Sequence, residues 1–203
     1  NVDSTVTVLT TGSVDANTTG TYTLTYSASD AAGNTAAPVI RTVMVADTIA
    51  PVITLLGSPE MDVLFNGTFT DPGSSVSDGF ESGLTAIAVG AVDTSVPGTY
   101  TLTYNVSDSA GNAATEVKRT VHVVDQEAPV ITLNGDASIN HEAGTLYTDA
   151  GASATDNVDS TVTVLTTGSV DANTTGTYTL TYSASDAAGN TAAPVIRTVM
   201  VAD

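Results

Sequence analysis

Acidic side chains recur at matching positions along this chain, and they offer most of its chemistry. Asp47, Asp78 and Asp108 each have an aspartate 78 residues further on. Ca²⁺ binds six to eight hard oxygen ligands, so carboxylates together with loop carbonyls suit it. Like charges crowded together without a cation would repel one another. We therefore predict calcium ligands among ten residues: Asp47, Asp78, Glu81, Asp108, Asp125, Glu127, Asp156, Asn157, Asp159 and Asp186.

A second interpretation of some of these acids stays open. In the motif Asp-x-Ala-Gly-Asn, which begins at Asp30, Asp108 and Asp186, the carboxylate can accept hydrogen bonds from turn amides. The glycine of the motif would then supply a positive φ. The spacing of the acids is not that of an EF-hand loop. The remaining acids could equally serve as solubilising surface charge.

Composition excludes several classes of protein. The chain of 203 residues carries 22 acidic and four basic residues, which gives a net charge of −18. Nucleic-acid binding depends on Lys and Arg at the phosphates, so we expect no nucleic-acid partner. No apolar run approaches the roughly 18 residues of a membrane helix, so we expect no transmembrane segment. The lack of Cys excludes disulfides and thiolate metal sites.

Internal repetition determines the predicted domain organisation. Residues 1–47 and 157–203 are the same string, and residues 48–125 align with 126–203 without a gap at 36 identical positions of 78. We predict the C-terminal part of one repeat in 1–47, with its first strands absent, and complete repeats in 48–125 and 126–203. Repeats of this length are large enough for a small β-sandwich.

Strand patterns within one repeat predict the fold class. In residues 177–182 Thr alternates with Tyr178, Leu180 and Tyr182, as expected of a half-buried strand whose aromatic and aliphatic side chains face the core. In the last strand Val199 and Val201 belong to the predicted core face. Turn signals at short spacing indicate about seven strands per repeat, which predicts an all-β protein of tandem immunoglobulin-like sandwiches. Arg197 falls on the core face and has no explanation from sequence.

The immunoglobulin-like topology would bring the acids together. Its B–C and F–G loops lie at the end where the chain enters the domain. In the last repeat the entering segment, the B–C loop and the F–G hairpin all carry acids, and the middle repeat has the same arrangement. The predicted calcium sites therefore lie at the repeat junctions.

Four motifs in fixed order carry a family resemblance. They are Asp-x-x-Ala-Pro-Val-Ile-Thr-Leu at 125–133, Tyr-Thr-Asp-x-Gly-Ala-x-Ala-x-Asp at 147–156, Gly-Thr-Tyr-Thr-Leu-Thr-Tyr at 176–182 and Asp-x-Ala-Gly-Asn at 186–190. This series resembles the bacterial surface immunoglobulin-like repeat, related to hyalin-repeat modules. The middle repeat departs in the second motif, where Phe69 replaces Tyr. The resemblance implies a spacer or adhesive module of large secreted or cell-surface proteins and no enzymatic activity.

Catalytic groups are poorly represented. His122 and His141 lie in different repeats at positions that do not correspond, and no Ser-His-Asp set can be assembled around them. Lys118 is the only lysine and is predicted to face outward, which argues against a Lys–Asn isopeptide cross-link. We therefore predict that the chain is not an enzyme.

The partial repeat and the short joints suggest how repeats are linked. Residues 1–47 lack the counterparts of 126–156, so we expect either that the sequence is a window from a longer array of repeats or that the strand edges find partners in neighbouring repeats of the same chain or in identical chains by strand complementation. Only Thr48-Ile49 and Gln126-Glu127 separate the repeat ends from Ala50-Pro51 and Ala128-Pro129. Such short joints predict a stiff rod, because flexible linkers are longer and rich in Gly and Ser.

Three functions remain open at the level of sequence. The favoured one is a structural module of an extracellular bacterial stalk, adhesin or fibre, stiffened by calcium at its junctions. The alternatives are a module that binds glycans or a surface partner, and accessory repeats of a secreted enzyme. Only Phe80 lies in a predicted loop among the aromatic residues, which gives the glycan-binding alternative little support.

Overall fold

The computed structural model describes residues 5–203, so the first four residues of the predicted partial repeat lie outside the described residues. The described chain contains no helix. Its strands are β1 (Val8–Thr11), β2 (Gly20–Ala28), β3 (Val39–Val45), β4 (Val52–Leu55), β5 (Glu60–Leu64), β6 (Ser74–Ser77), β7 (Ile87–Val89), β8 (Gly98–Asn105), β9 (Val117–Val124), β10 (Val130–Leu133), β11 (Ser138–Glu142), β12 (Ala152–Thr155), β13 (Val164–Thr167), β14 (Gly176–Ala184) and β15 (Val195–Ala202).

Two β-layers form in residues 126–203. Strands β10 and β12 pair in one sheet, and the order β11-β15-β14-β13 makes the other. The pairs are antiparallel except β11 with β15, which run parallel from Ser138↔Thr198 to Glu142↔Ala202. Residues 48–125 have the same strand order, with β4-β6 in one sheet and β5-β9-β8-β7 in the other. These layers confirm the predicted all-β fold.

The first described segment forms one sheet with the order β1-β2-β3. Its register is that of the identical residues near the C-terminus: Val8 pairs with Ala28 as Val164 pairs with Ala184. Local sequence therefore sets this hairpin register in both places, because the two copies have the same turns.

The core of residues 126–203 uses the predicted faces. Leu180, Tyr182, Val199 and Val201 are all buried, whereas Met200 between the two valines is 48% exposed. Ile131 of β10 packs against Leu180 and Tyr182 from the opposite layer. The alternation of buried and exposed positions confirms the period-two interpretation of these strands.

Arg197 lies on the core face because its guanidinium is enclosed by acceptors. The side chain is fully buried. It donates hydrogen bonds to the main-chain oxygens of Asn134 at 2.7 Å, Asp136 at 3.0 Å and Gly151 at 3.3 Å. It also forms an ion pair with the Asp149 carboxylate. Charge and donors are thus satisfied at a site that sequence periodicity marks as apolar.

Tyr182 completes this buried network. Its hydroxyl donates to Asp149 at 2.8 Å and accepts from Arg197 at 3.0 Å. Burial, reinforced by the bond to the carboxylate, raises the pKa of Tyr182 to about 12. Burial opposes ionisation of Asp149, but hydrogen bonds from Tyr182 and Arg197 outweigh it and lower the pKa of Asp149. The network therefore holds Asp149 ionised and Tyr182 neutral.

The middle repeat builds the same network from its own residues. Arg119 is fully buried, pairs with Asp71 at 2.9 Å and donates to the main-chain oxygens of Leu56 at 2.7 Å and Gly73 at 3.0 Å. Tyr104 donates to Asp71 at 2.6 Å. A buried Arg–Asp–Tyr group is thus a property of the repeat.

Close packing divides the chain into two compact units. One comprises Asn1–Glu60, Thr70–Ala91 and Thr101–Thr120, and the other comprises Met61–Phe69, Val92–Tyr100 and Val121–Asp203. A membrane-spanning helix is not found among the described residues.

Candidate metal centres

Two clusters of three aspartates form, one in each compact unit. Asp47, Asp78 and Asp108 make the first cluster, and their counterparts Asp125, Asp156 and Asp186 make the second. Within each cluster one carboxylate oxygen per residue lies within 4.8 Å of the others. The first aspartate of each cluster follows the last strand of a repeat, and the other two belong to the next repeat.

Backbone amides hold the middle aspartate of each cluster. Asp156 Oδ1 accepts from the N–H groups of Val158 and Asp159, each at 2.9 Å. These bonds lower the pKa of Asp156, Asp159 contributing most. Asp78 Oδ1 is held in the same way by two amides, those of Phe80 and Glu81, at 2.8 Å each. The tight loops after β6 and β12 therefore fix one oxygen of each aspartate, and the other oxygen, Oδ2, is buried without a hydrogen-bond partner.

The Asp-x-Ala-Gly-Asn hairpin holds the third aspartate. Asp186 accepts from the Asn190 main-chain N–H and from its side-chain amide, both at 2.7 Å. Gly189 in this turn has a φ of 95°, as the turn interpretation predicts. Asn190 Nδ2 also donates to the Asp125 main-chain oxygen at 3.3 Å, which ties the hairpin to the segment entering the repeat.

Asp108 repeats this arrangement and is the most buried of the six carboxylates. It is 7% exposed and accepts both Asn112 bonds at 2.7 Å. Burial opposes its ionisation, but the hydrogen bonds, first those from Asn112, outweigh that penalty and lower the pKa of Asp108. The turn role and membership of an acidic cluster thus coexist in one residue.

Three carboxylate oxygens in the clusters are buried and lack a hydrogen-bond partner: Oδ2 of Asp78, Asp125 and Asp156. Burying an anionic oxygen without a donor is costly, and adjacent like charges add to that cost. Ca–O distances of about 2.3–2.6 Å would place any two ligands of one ion within about 5 Å of each other. The spacing and the free oxygens therefore fit a Ca²⁺ ion coordinated also by carbonyls and water.

The other predicted ligands have different partners. Glu81 Oε2 accepts from the Ser109 N–H, and Asp159 Oδ2 from the Ala187 N–H, each at 2.7 Å. Both lie outside the clusters and attach the loop to the neighbouring hairpin. Glu127 is exposed and contributes its main-chain N–H to Asp125 at 3.1 Å. Asn157 is exposed, and its role as a ligand stays a prediction.

The remaining polar candidates are surface residues or local contacts. His141 Nε2 lies 3.1 Å from the Thr145 hydroxyl, and His122 Nδ1 lies 3.0 Å from the Thr99 hydroxyl. Lys118 is exposed and pairs with Glu116 at 3.0 Å, as expected of an outward-facing residue.

The paired layers and repeated strand order define a protein of tandem immunoglobulin-like repeats. A family model described as "Bacterial surface protein, Ig-like domain" matches residues 1–45, 53–123 and 131–201. The chain belongs to this family, as the four motifs predict.

Two relatives align along most of the chain. Internalin I of Listeria monocytogenes serotype 4b (strain F2365) is 32% identical over 194 residues, which cover 90% of this chain and 11% of that protein. An uncharacterized 81.3 kDa protein of Acholeplasma phage L2 is 33% identical over 189 residues, covering 85% of this chain and 25% of that protein. The chain thus spans only a small part of these relatives.

Solved structures of low sequence identity also align with the chain. Sidekick-1 immunoglobulin domains 1–4 give a TM-score of 0.41 at 13% identity, covering 94% of this chain and 60% of that one. The titin I-band fragment I67-I69 gives 0.38 at 13% identity, covering 94% and 77%.

Proposed function

We propose that the chain is a structural segment of a bacterial cell-surface stalk, adhesin or fibre, and that Ca²⁺ at its two aspartate clusters stiffens the repeat junctions. The observation that carries this proposal is the set of buried, unpartnered carboxylate oxygens in the clusters. Membership of the surface-protein family supports the location, and a relative named as an internalin agrees with it. A role as a non-enzymatic spacer is consistent with the lack of an assembled catalytic group in the described residues.

The ligand sources explain how an ion would stiffen a junction. Asp125 ends one repeat, whereas Asp156 and Asp186 belong to the next. A bound ion would join these segments by strong, short contacts and offset most of the repulsion between three anions. Without it the same repulsion would favour separation of the segments. A bound ion would therefore make the junction between the repeats rigid.

Direct titration tests the metal sites. Ca²⁺ added to the metal-free chain in a calorimeter should bind at two sites per chain. Asp78→Asn should remove or weaken one site and Asp156→Asn the other, because each removes a central carboxylate. Asp62→Asn and Asp136→Asn are matched controls, since both change exposed aspartates outside the clusters. Binding that the cluster variants leave unchanged would refute the proposed sites.

Solution scattering and limited proteolysis test the mechanical role. With Ca²⁺ the chain should resist cleavage at 47–50 and 125–128, and chelation should increase both cleavage and the spread of scattering distances. The double variant Asp78→Asn with Asp156→Asn should behave as the chelated chain does at any Ca²⁺ concentration. Calcium binding without any change in cleavage or scattering would confirm the sites and contradict the stiffening role.

A further inference from the structure

The outer face of the sheet β11-β15-β14-β13 carries almost no charge. This face belongs to a complete repeat and lies on the opposite side of the sheet from the core. Leu165 pairs with Ser183, and Thr181 pairs with Ile196, so these four side chains share it. Glu142, at the end of β11, is the only charged side chain on this face in the four described strands. An uncharged face is unusual in a chain whose net charge is −18.

Exposed apolar side chains are spread across the same face. Leu165, Ile196 and Met200 are 62%, 52% and 48% exposed. Between them, on β14, threonines continue the face with one methyl and one hydroxyl group each. A contiguous surface of this kind, rimmed by polar residues, marks an interaction site.

The middle repeat shows that the fold does not require this composition. Glu60, Asp62 and Lys118 are all exposed, and they stand where the last repeat has Ser138, Asn140 and Ile196. The strands form in both repeats, so the outer face of the sheet tolerates charge. The uncharged face is therefore a property of the sequence that residues 1–47 and 157–203 share.

Charge indicates which partner fits this face. The chain has 22 acidic and four basic residues, so two copies repel each other over most of their surfaces. At the uncharged face this repulsion is smallest, and burying its apolar side chains requires no desolvation of an ion. A basic partner would instead be attracted to the acidic surfaces. Two identical faces can also pack on each other about a two-fold axis.

We infer that the outer face of the sheet β11-β15-β14-β13 packs on the same face of a second copy of the chain. Strands about 4.8 Å apart that rise about 3.3 Å per residue give this face an area of roughly 400 Å². Standard interfaces bury about 800 Å² per partner, so one contact gives a weak, reversible dimer. Residues 1–47 have the same outward side chains, so each copy offers the face twice. The contact involves neither the aspartate clusters nor a metal.

Sedimentation equilibrium of the full chain tests this inference. The measurement is made in chelator, so that the calcium sites do not contribute, and in about 0.15 M salt, which limits the Debye length to about 8 Å. The weight-average mass should rise as the protein concentration increases from about 10 μM to about 1 mM. More salt should strengthen the association, because it screens the repulsion between the acidic copies.

A double variant changes both copies of the face. Ile40→Glu with Ile196→Glu should weaken self-association at least about tenfold, because each contact would bury a new charge beside a like charge. Lys118 at the corresponding position of the middle repeat shows that the fold accepts a charge there. Val52→Glu with Val130→Glu is the matched control. It adds the same charge at valines that are 59% and 63% exposed on the other sheet, and it should associate as the unchanged chain does.

Three outcomes would overturn the inference. A chain that stays monomeric up to about 1 mM would leave the face to another occupant, such as a polysaccharide or a different protein. Equal weakening in the two double variants would attribute the effect to net charge. Association that is unchanged by Ile40→Glu with Ile196→Glu would place the contact on another surface.

Discussion

Residues 1–47 and 157–203 share one sequence but have different surroundings. Tyr182 is fully buried, whereas Tyr26 is half-buried; Arg197 is fully buried, whereas Arg41 is exposed. The register of the three strands is the same in both copies. Sequence identity thus fixes the sheet, while the neighbouring segment 126–156 decides whether that sheet has a core.

The difference also separates two kinds of polar contact. Asp186 and Asp30 make the same hairpin bonds: each accepts from an asparagine main-chain amide and side-chain amide at 2.7 Å. Within the described residues, Arg41 has no equivalent of the main-chain bonds of Arg197, whose acceptors Asp136 and Asn134 lie 61 and 63 residues earlier in the sequence. Local contacts survive a change of surroundings, and long-range contacts do not.

The largest expected effect comes from the arginine pair. Arg197→Met should destabilise its repeat by about 3–5 kcal/mol, because it leaves Asp149 without its buried partner. Arg41→Met should destabilise the first copy by no more than about 1 kcal/mol, the value of an exposed cation–π contact. Both changes in stability can be measured by urea unfolding with hydrogen exchange as the probe. The two copies give proteolytic peptides of identical mass. The substitution changes the mass of the peptides from the mutated copy, so mass spectrometry can follow the exchange of each copy separately.

Truncating a core leucine should give the next largest difference. Leu180 is 4% exposed, so Leu180→Ala should cost about 2–5 kcal/mol. Leu24→Ala should cost less than half as much, because Leu24 is only half-buried and its loss leaves no closed cavity. The same exchange experiment provides the measurement. Equal losses at the two leucines would show that the first copy has a core of its own.

Acidification should lower the stability of residues 126–203, but by less than Arg197→Met or Leu180→Ala. The pKa of Asp149 is lowered in the folded chain, so its contribution to stability is present above its unfolded pKa of about 3.9 and is lost as pH falls through the folded value. Hydrogen exchange of 176–202, corrected for its intrinsic pH dependence, should therefore accelerate below about pH 4. Asp149→Asn should reduce this acid step, leaving the part due to Asp156 and Asp171, whose pKa values are also lowered, and Asp136→Asn, which changes an exposed side chain, should keep the full step.

Loss of the aspartate in the Asp-x-Ala-Gly-Asn hairpin should have the smallest effect, and this effect should be equal in the two copies. Asp30→Ala and Asp186→Ala, compared in chelator, should increase exchange of their own hairpin amides by similar factors, because both remove the same local bonds. The pKa of Asp30 is lowered, chiefly by the hydrogen bond from the Asn34 side chain, so the effect of Asp30→Ala should weaken in acid. A much larger effect at Asp186 would show that its cluster neighbours stabilise the hairpin even without metal.

The candidate site was predictable in part. The positions of Asp47, Asp78 and Asp108 follow from the repeat and from an immunoglobulin-like loop scheme, and the structure brings these three together. Glu81 and Asp159 stay predicted ligands. Their bonds to the Ser109 and Ala187 amides could not be predicted, because these bonds depend on loop conformation. Arg119 and Arg197 were visible only as exceptions to the apolar pattern, since their acceptors are mostly carbonyls that every sequence contains.

The sequence by itself determined the strands, their register, the turn geometry of the Asp-x-Ala-Gly-Asn hairpins and the family, because these depend on residues close together or on repetition. Only the tertiary structure decided where each buried arginine charge is neutralised and which acids meet. The physical reason is that burial and charge compensation depend on segments distant in sequence: the same Leu, Tyr and Arg side chains are core residues when residues 126–156 pack over them and exposed or half-buried when no described segment does.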